Sequence, residues 1–190
     1  RVPVNTLAEF LDYVRKNPNK VNYASPGAGT AHHYAGELFK LLTKTEIVHV
    51  PFRGAGPAMN DLLAGQVDMM FDGMGSSASQ IKAGKLKGLA VATKARVSEF
   101  PNIPTAAEAG VPGWEVATWY GLWAIKGTPM PIVERMHAET VKALNDPKLK
   151  KIWQEQSAQA GGESRADFAK RIRAEIEKWA KVTKDADIKV

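Results

Sequence analysis

The sequence contains no cysteine. Disulfides, thiolate metal sites and cysteine nucleophiles are excluded with it. A chain without cysteine is compatible with an oxidising compartment but does not require one. No apolar run approaches the ~20 residues needed to span a bilayer. The start, Arg1-Val2-Pro3-Val4, lacks the basic stretch and apolar core of a signal peptide. A mature export product would look the same, so a location outside the cytoplasm stays open. Long blocks of one charge sign are also missing. The net charge is +6, yet basic residues alternate with acids, as in Arg171-Ile172-Arg173-Ala174-Glu175-Ile176-Glu177-Lys178. That pattern is a solvated helix face. Without a basic stripe interleaved with aromatics, nucleic acid is not an expected partner.

What remains is the composition of a folded globular chain: 190 residues, 44% hydrophobic and 24% charged. Thr6 and Glu9 form a capping pair ahead of an apolar face of Leu7, Phe10, Leu11 and Val14, and Pro18 stops that helix. Val21 to Ala24 is short and β-prone. The turn Ser25-Pro26-Gly27-Ala28-Gly29-Thr30 follows, then a helix with Ala31, Tyr34, Ala35, Leu38 and Leu42 at helical spacing. Glu46 to Phe52 reads as a strand and Arg53-Gly54-Ala55-Gly56-Pro57 as a second glycine turn. Pro57 suits the first position of the next helix, which runs to Gly65. Val67 to Phe71 is a third strand, Ser77 to Ala83 a short helix, and Leu86 to Thr93 a fourth strand. Twice a helix closes on Ala-Gly one residue before a strand, at Ala64-Gly65 and Ala83-Gly84. Strands alternating with helices predict a parallel α/β sheet.

After Thr93 the pattern changes. Thr105 and Glu108 are expected to cap a short helix ending at Gly110, and Trp114 to Ala124 is extended and aromatic-rich. From Thr128 onward the chain is helical, with a last helix capped by Ser164 and Asp167 and faced by Phe168, Ile172, Ile176, Trp179 and Thr183. Helices that follow a compact α/β unit need a surface to pack on, and no second sheet supplies one.

The turn from Ser25 to Thr30 carries the clearest chemical signal. It joins a strand's carboxyl end to a helix N-terminus, where free amides and the helix dipole favour an anion. Open parallel sheets bind ligands at that edge. Gly27 and Gly29 permit close approach, and Ser25 and Thr30 add hydroxyls. An ordinary cap loop reads the same way. A phosphate loop is excluded because Ala31, not lysine, follows Gly29-Thr30. Asp72, Ser76 and Ser77 lie at the same strand edge, as ligand contacts or as helix caps. His33 and Glu37 are spaced for a metal but lack a third ligand, so no metal is expected. Gly73-Met74-Gly75-Ser76-Ser77 is not a nucleophile elbow.

Taken together, Tyr23-Ala24-Ser25-Pro26-Gly27-Ala28-Gly29-Thr30 with His33 and Gly36-Glu37-Leu38-Phe39 resembles the Bug-type receptors of tripartite tricarboxylate transporters. So do His49 to Gly54, Asp61 to Asp68 with Phe71-Asp72, Ile81 to Leu86, Pro101 to Gly113, and Trp119-Tyr120-Gly121-Leu122 followed by Gly127-Thr128-Pro129. The resemblance covers essentially the whole chain. It implies an α/β, type II periplasmic binding protein-like fold of two lobes that close on a ligand. Residues 1–124 would be the second lobe with half of the ligand cleft, and 125–190 a helical segment that packs on the first lobe. It implies a periplasmic, solute-binding role without catalysis or cofactor. The ligand would be a small organic carboxylate (a di- or tricarboxylate, an amino acid or an aromatic acid), and the partners membrane permease subunits. One ligand carboxylate would be held by backbone and hydroxyl groups at Ser25, Gly27, Ala28, Gly29 and Thr30, with water bridges. His33 and Asp72 are further candidates by position, and Trp119 follows them.

Two departures matter. Family members carry a longer chain before Arg1, so an N-terminally truncated protein with one cleft wall is expected, one that self-associates through uncovered surface. Pro26 and Ala28 stand where small polar residues are common, which removes donors. A sensory or interaction module on the same fold, and a small-acid enzyme, are the alternative functions.

Overall fold

The first helix begins where the sequence supplies its cap. Thr6 Oγ1 accepts the Glu9 amide at 3.1 Å, and Glu9 Oε2 accepts the Asn5 amide at 2.6 Å. These bonds satisfy amides at the entrance of α1 (Leu7–Lys16), which ends two residues before Pro18. Its face of Leu7, Phe10, Leu11 and Val14 is buried, as the spacing predicts. The computed structural model describes residues 2–189, and in them the α/β order follows: β1 (Asn22–Ser25), α2 (Ala31–Thr43), β2 (Val48–Pro51), α3 (Ala55–Leu63), β3 (Met69–Met70) and α4 (Met74–Lys82). The strands form one parallel sheet in the order β2-β1-β3, with Tyr23 opposite His49 and Met69. Central β1 is almost fully buried, whereas β2 is half open.

Helix exits are set by glycine. At Gly65 (φ 71°) the Gln66 amide bonds Asp61 O at 2.8 Å, and at Gly84 (φ 69°) the Lys85 amide bonds Gln80 O at 2.9 Å. Both are Schellman closures, in which a left-handed residue turns the chain back so that late carbonyls are satisfied. The core lies between α1, α2 and the sheet. Phe39 meets Phe71 and Trp114 at centroid distances of 5.3 Å each, and Trp114 Nε1 donates to Ala35 O at 2.9 Å. Each fully buried aromatic of this kind stabilises the fold by about 1.5–3 kcal/mol.

Three local expectations are corrected. Leu86 to Thr93 is not a strand. Val91 bridges only Thr105, giving its amide to Pro104 O (2.9 Å) and its carbonyl to the Ala106 amide (2.8 Å). Ladder groups that an adjacent sheet strand would use are thus taken by a loop. Thr105 to Gly110 is a single turn. Its capping pair forms in both directions, at 3.2 and 2.8 Å, but the Val111 amide closes on Ala106 O at 2.8 Å before a second turn can propagate. The third helix starts at Ala55, so Pro57 is its third residue rather than its first.

Beyond the α/β body come α5 (Met130–Leu144), α6 (Pro147–Glu155) and α7 (Arg165–Asp185). Ser164 caps α7 through the Asp167 amide at 3.1 Å. The end of α7 returns to the body: Val182 is buried, Trp179 meets the Tyr34 ring edge-on at 5.5 Å, and Thr183 Oγ1 donates to Tyr34 Oη at 3.1 Å. Helices α5 and α6 have no buried residue.

Candidate functional site

The turn from Ser25 to Thr30 sits at the carboxyl edge of the central strand and opens α2, which runs for 13 residues. Thr30 caps that helix: its Oγ1 accepts the His33 amide at 3.5 Å and donates to Gly27 O at 2.7 Å. The neighbouring loop is tied to it. Phe52 N donates to Ser25 O at 2.9 Å, and Gly54 N donates to Pro26 O at 3.0 Å. Among the described residues, the amides of Ala28, Ala31 and His32 have no protein acceptor. Ala28, Gly29 and Ala31 are exposed. Three open donors at the positive end of a helix make a ready anion cradle.

Directly beneath the turn lies a layer that reading along the chain did not bring together. Ser25 is fully buried, and its Oγ is 2.6 Å from His49 Nε2. Oγ also accepts the Gly27 amide and donates to Gly27 O, both at 3.1 Å. The His49 ring lies between two others, stacked on His33 at 4.0 Å and on Tyr23 at 4.9 Å. His33 is buried, and its Nδ1 accepts the Gly29 amide at 3.2 Å. Tyr23 Oη donates to Glu37 Oε1 at 2.8 Å, and Lys40 Nζ holds both Glu37 oxygens at 3.0 and 2.9 Å. Burial pushes the His49 imidazole down to about 4, and the neighbouring His33 acts in the same direction. Burial also lowers His33, against the pull of Glu37. Burial, followed by the Glu37 carboxylate, raises the Tyr23 phenol.

Of the residues singled out from sequence, Gly27, Ala28, Gly29 and Thr30 form the rim of the corner, while Ser25 and His33 support it from below. Asp72 stands at the end of β3, beside the same corner. Its Oδ2 accepts from Ser76 Oγ at 2.6 Å, and its Oδ1 is 3.2 Å from His32 Nε2. Trp119 contacts Trp123 at 6.2 Å and Phe168 at 5.4 Å, on the side of α7. Two cavities lie elsewhere: one of about 320 Å³ between Glu37, Lys40 and Asp185, and one of about 300 Å³ between Asn5, Gly88 and Asn102.

His49 was missed because its distance from Ser25 is only visible once the strands pair. The register that sets Tyr23 opposite His49 puts Tyr23, Ser25 and His49 on one face of the sheet.

The family described as "Tripartite tricarboxylate transporter family receptor" matches residues 1–188. A protein from the tcbD-tcbE intergenic region of Pseudomonas sp. (strain P51) is 39% identical over 177 residues, 93% of this chain and 53% of that protein. Rpa4515 of R. palustris, solved with adipate, is 36% identical with a TM-score of 0.91, covering 98% of this chain and 62% of its own. MatC (Rpa3494) from Rhodopseudomonas palustris, solved with bound malate, is 33% identical with a TM-score of 0.87, covering 96% of this chain and 63% of its own. The chain thus spans about half the length of the curated relatives it matches. With the match running along residues 1–188 and the α/β architecture shared, this chain belongs to the tripartite tricarboxylate transporter receptor family.

Proposed function

We propose that this chain is the anion-holding lobe of a periplasmic receptor that captures a small organic carboxylate and passes it to membrane permease subunits. The observation that carries this reading is the trio of open amides at Ala28, Ala31 and His32, seated on the positive end of α2. A carboxylate there gains charge-assisted hydrogen bonds without any protein cation being needed. Adipate and malate in the two solved relatives are solutes of that chemistry. In the same proposal, residues 1–124 carry one wall of the cleft. The segment 125–190 contributes helices to a second lobe built from further chain, and self-association follows when that lobe is missing.

Capture without turnover is part of the proposal. The contact between Ser25 Oγ and His49 Nε2 at 2.6 Å has the spacing of a nucleophile and its base. It is poorly placed for such work. Ser25 is sealed from solvent, and an imidazole held down to about 4 is a weak base at neutral pH.

Thermal unfolding with a panel of malate, adipate, succinate and glutamate tests this. A solute present at ~100 times its Kd stabilises the folded state by about 2.7 kcal/mol, several degrees in Tm. Thr30→Ala loses the cap, at a cost of about 1 kcal/mol, and should also shrink the ligand-induced shift. A panel that leaves Tm unmoved overturns the reading. Steady conversion of a bound acid would move it to an enzyme.

A further inference from the structure

The edge of the sheet holds one group that carboxylate capture by backbone amides does not account for. Asp72 has a side chain only 7% exposed, and its Oδ1 has no hydrogen-bond donor. Leaving a buried carboxylate oxygen undonated is costly. A bare negative charge beside the anion corner would also repel the solute. Nε2 of His32 lies 3.2 Å from Oδ1 without forming a hydrogen bond in this arrangement. Among the described residues, His32 is the sole cationic or imidazole partner within 4 Å of Asp72.

His32 is the second residue of α2, so its own amide is one of the three open donors. Its side chain is 21% exposed, and among the described residues no group bonds its Nδ1. The groups around it are few. Asp72 faces it from the β3–α4 corner, with Ser76 bonded behind. On its own helix, His33 is turned away into the stack with His49, and Glu37 is held by Tyr23 and Lys40. Arg53 on the β2–α3 loop is exposed and, among the described residues, has no acidic partner within 4 Å.

Resting on the receptor reading above, we propose that His32 is a ligand-binding residue. Clamped through Nε2 by Asp72, it offers Nδ1–H to the carboxylate seated on the amides of Ala28, Ala31 and His32. An imidazole whose Nε2–H is given to Asp72 has an acceptor at Nδ1 when neutral and a donor when charged. A neutral ring must therefore take up a proton from solvent to donate there. A cation then stands between two carboxylates, and the solute specified is an anion rather than a neutral hydroxy or amino group. Affinity falls as the pH rises.

The test uses the intact chain, with malate and adipate as probes. Ring-nitrogen NMR of His32 should show Nδ1 gaining a proton on saturation. Calorimetry in buffers of different ionisation enthalpy should show proton uptake on binding, up to one per solute bound. His32→Gln, at a part-exposed position, should weaken binding about tenfold and remove the uptake. Asp72→Asn should lower the uptake while the fold, read by circular dichroism, persists. If the Ala28 and Ala31 amides shift while His32 Nδ1 stays unprotonated and His32→Gln binds as the parent does, this inference is overturned and the anion corner stands. If neither probe moves any of these signals, both fall.

Discussion

At the scale of single residues, the corner depends on two histidines that must stay neutral. His49 titrates near 4 and His33 below its ordinary value, each chiefly because burial disfavours the charged ring. In the unfolded chain both return to about 6.5. Between those limits the unfolded chain binds more protons than the folded one, so stability rises with pH. The stabilisation is complete above about 6.5 and is lost as pH falls toward about 4. The loss from His49 is on the order of 3 kcal/mol. Urea melts from pH 7 to pH 4 should show it, and His49→Gln should flatten the slope. An unchanged midpoint across that range would contradict a stacked pair kept neutral by its surroundings. The family resemblance marked His33 by its position after the turn. It gave no reason to join His33 to His49, because stacking between a helix and a strand depends on the sheet register.

At the scale of elements, the contact between α2 and β1 is set by one missing side chain. A Cβ on Gly36 would lie 2.4 Å from Tyr23 Cε2 and 2.8 Å from its Oη. Tyr23 has 0% exposure and is pinned by Glu37 and by the His49 ring, so it cannot step aside. Alanine in mid-helix gains up to about 1 kcal/mol over glycine. Overpacking a tight core costs about 1–3 kcal/mol and here also spreads the hydrogen bond between Tyr23 and Glu37. Gly36→Ala should therefore lower stability by roughly 1–2 kcal/mol, read by denaturant midpoint; a stabilised variant would show the clash to be absent. Caps and glycine exits were legible in the sequence, since Thr6, Thr30, Ser164, Gly65 and Gly84 act through their immediate neighbours. The strand expected from Leu86 to Thr93 was not. Apolar character recorded its burial, but strand pairing needed a partner at the right edge, and Pro104 to Ala106 met Val91 instead.

At the scale of the whole molecule, burial is uneven along the chain. Among the described residues after Thr128, the one that is buried is Val182, where α7 returns to α2. Helices α5 and α6 have no buried residue, while Tyr120, Leu122 and Ile125 before them are 91%, 71% and 87% exposed. An isolated helix of such length is marginal in water, because tertiary packing supplies most helical stability. The sequence already posed this problem, since helices followed the sheet with no second layer to meet. Opening free energy should then differ by region, as it does wherever buried apolar contacts are few. In hydrogen exchange, amides of α1, α2 and the last turns of α7 should be slow, whereas those of α5 and α6 should exchange orders of magnitude faster. Adding a solute that binds the corner should slow Ala28 to Tyr34 and leave α5 and α6 unchanged, because the hydrogen bonds that build the corner involve no residue of either helix. Protection of α5 equal to that of α2 would mean these helices are complete as they stand, and the proposal of a second lobe awaiting them would have no basis.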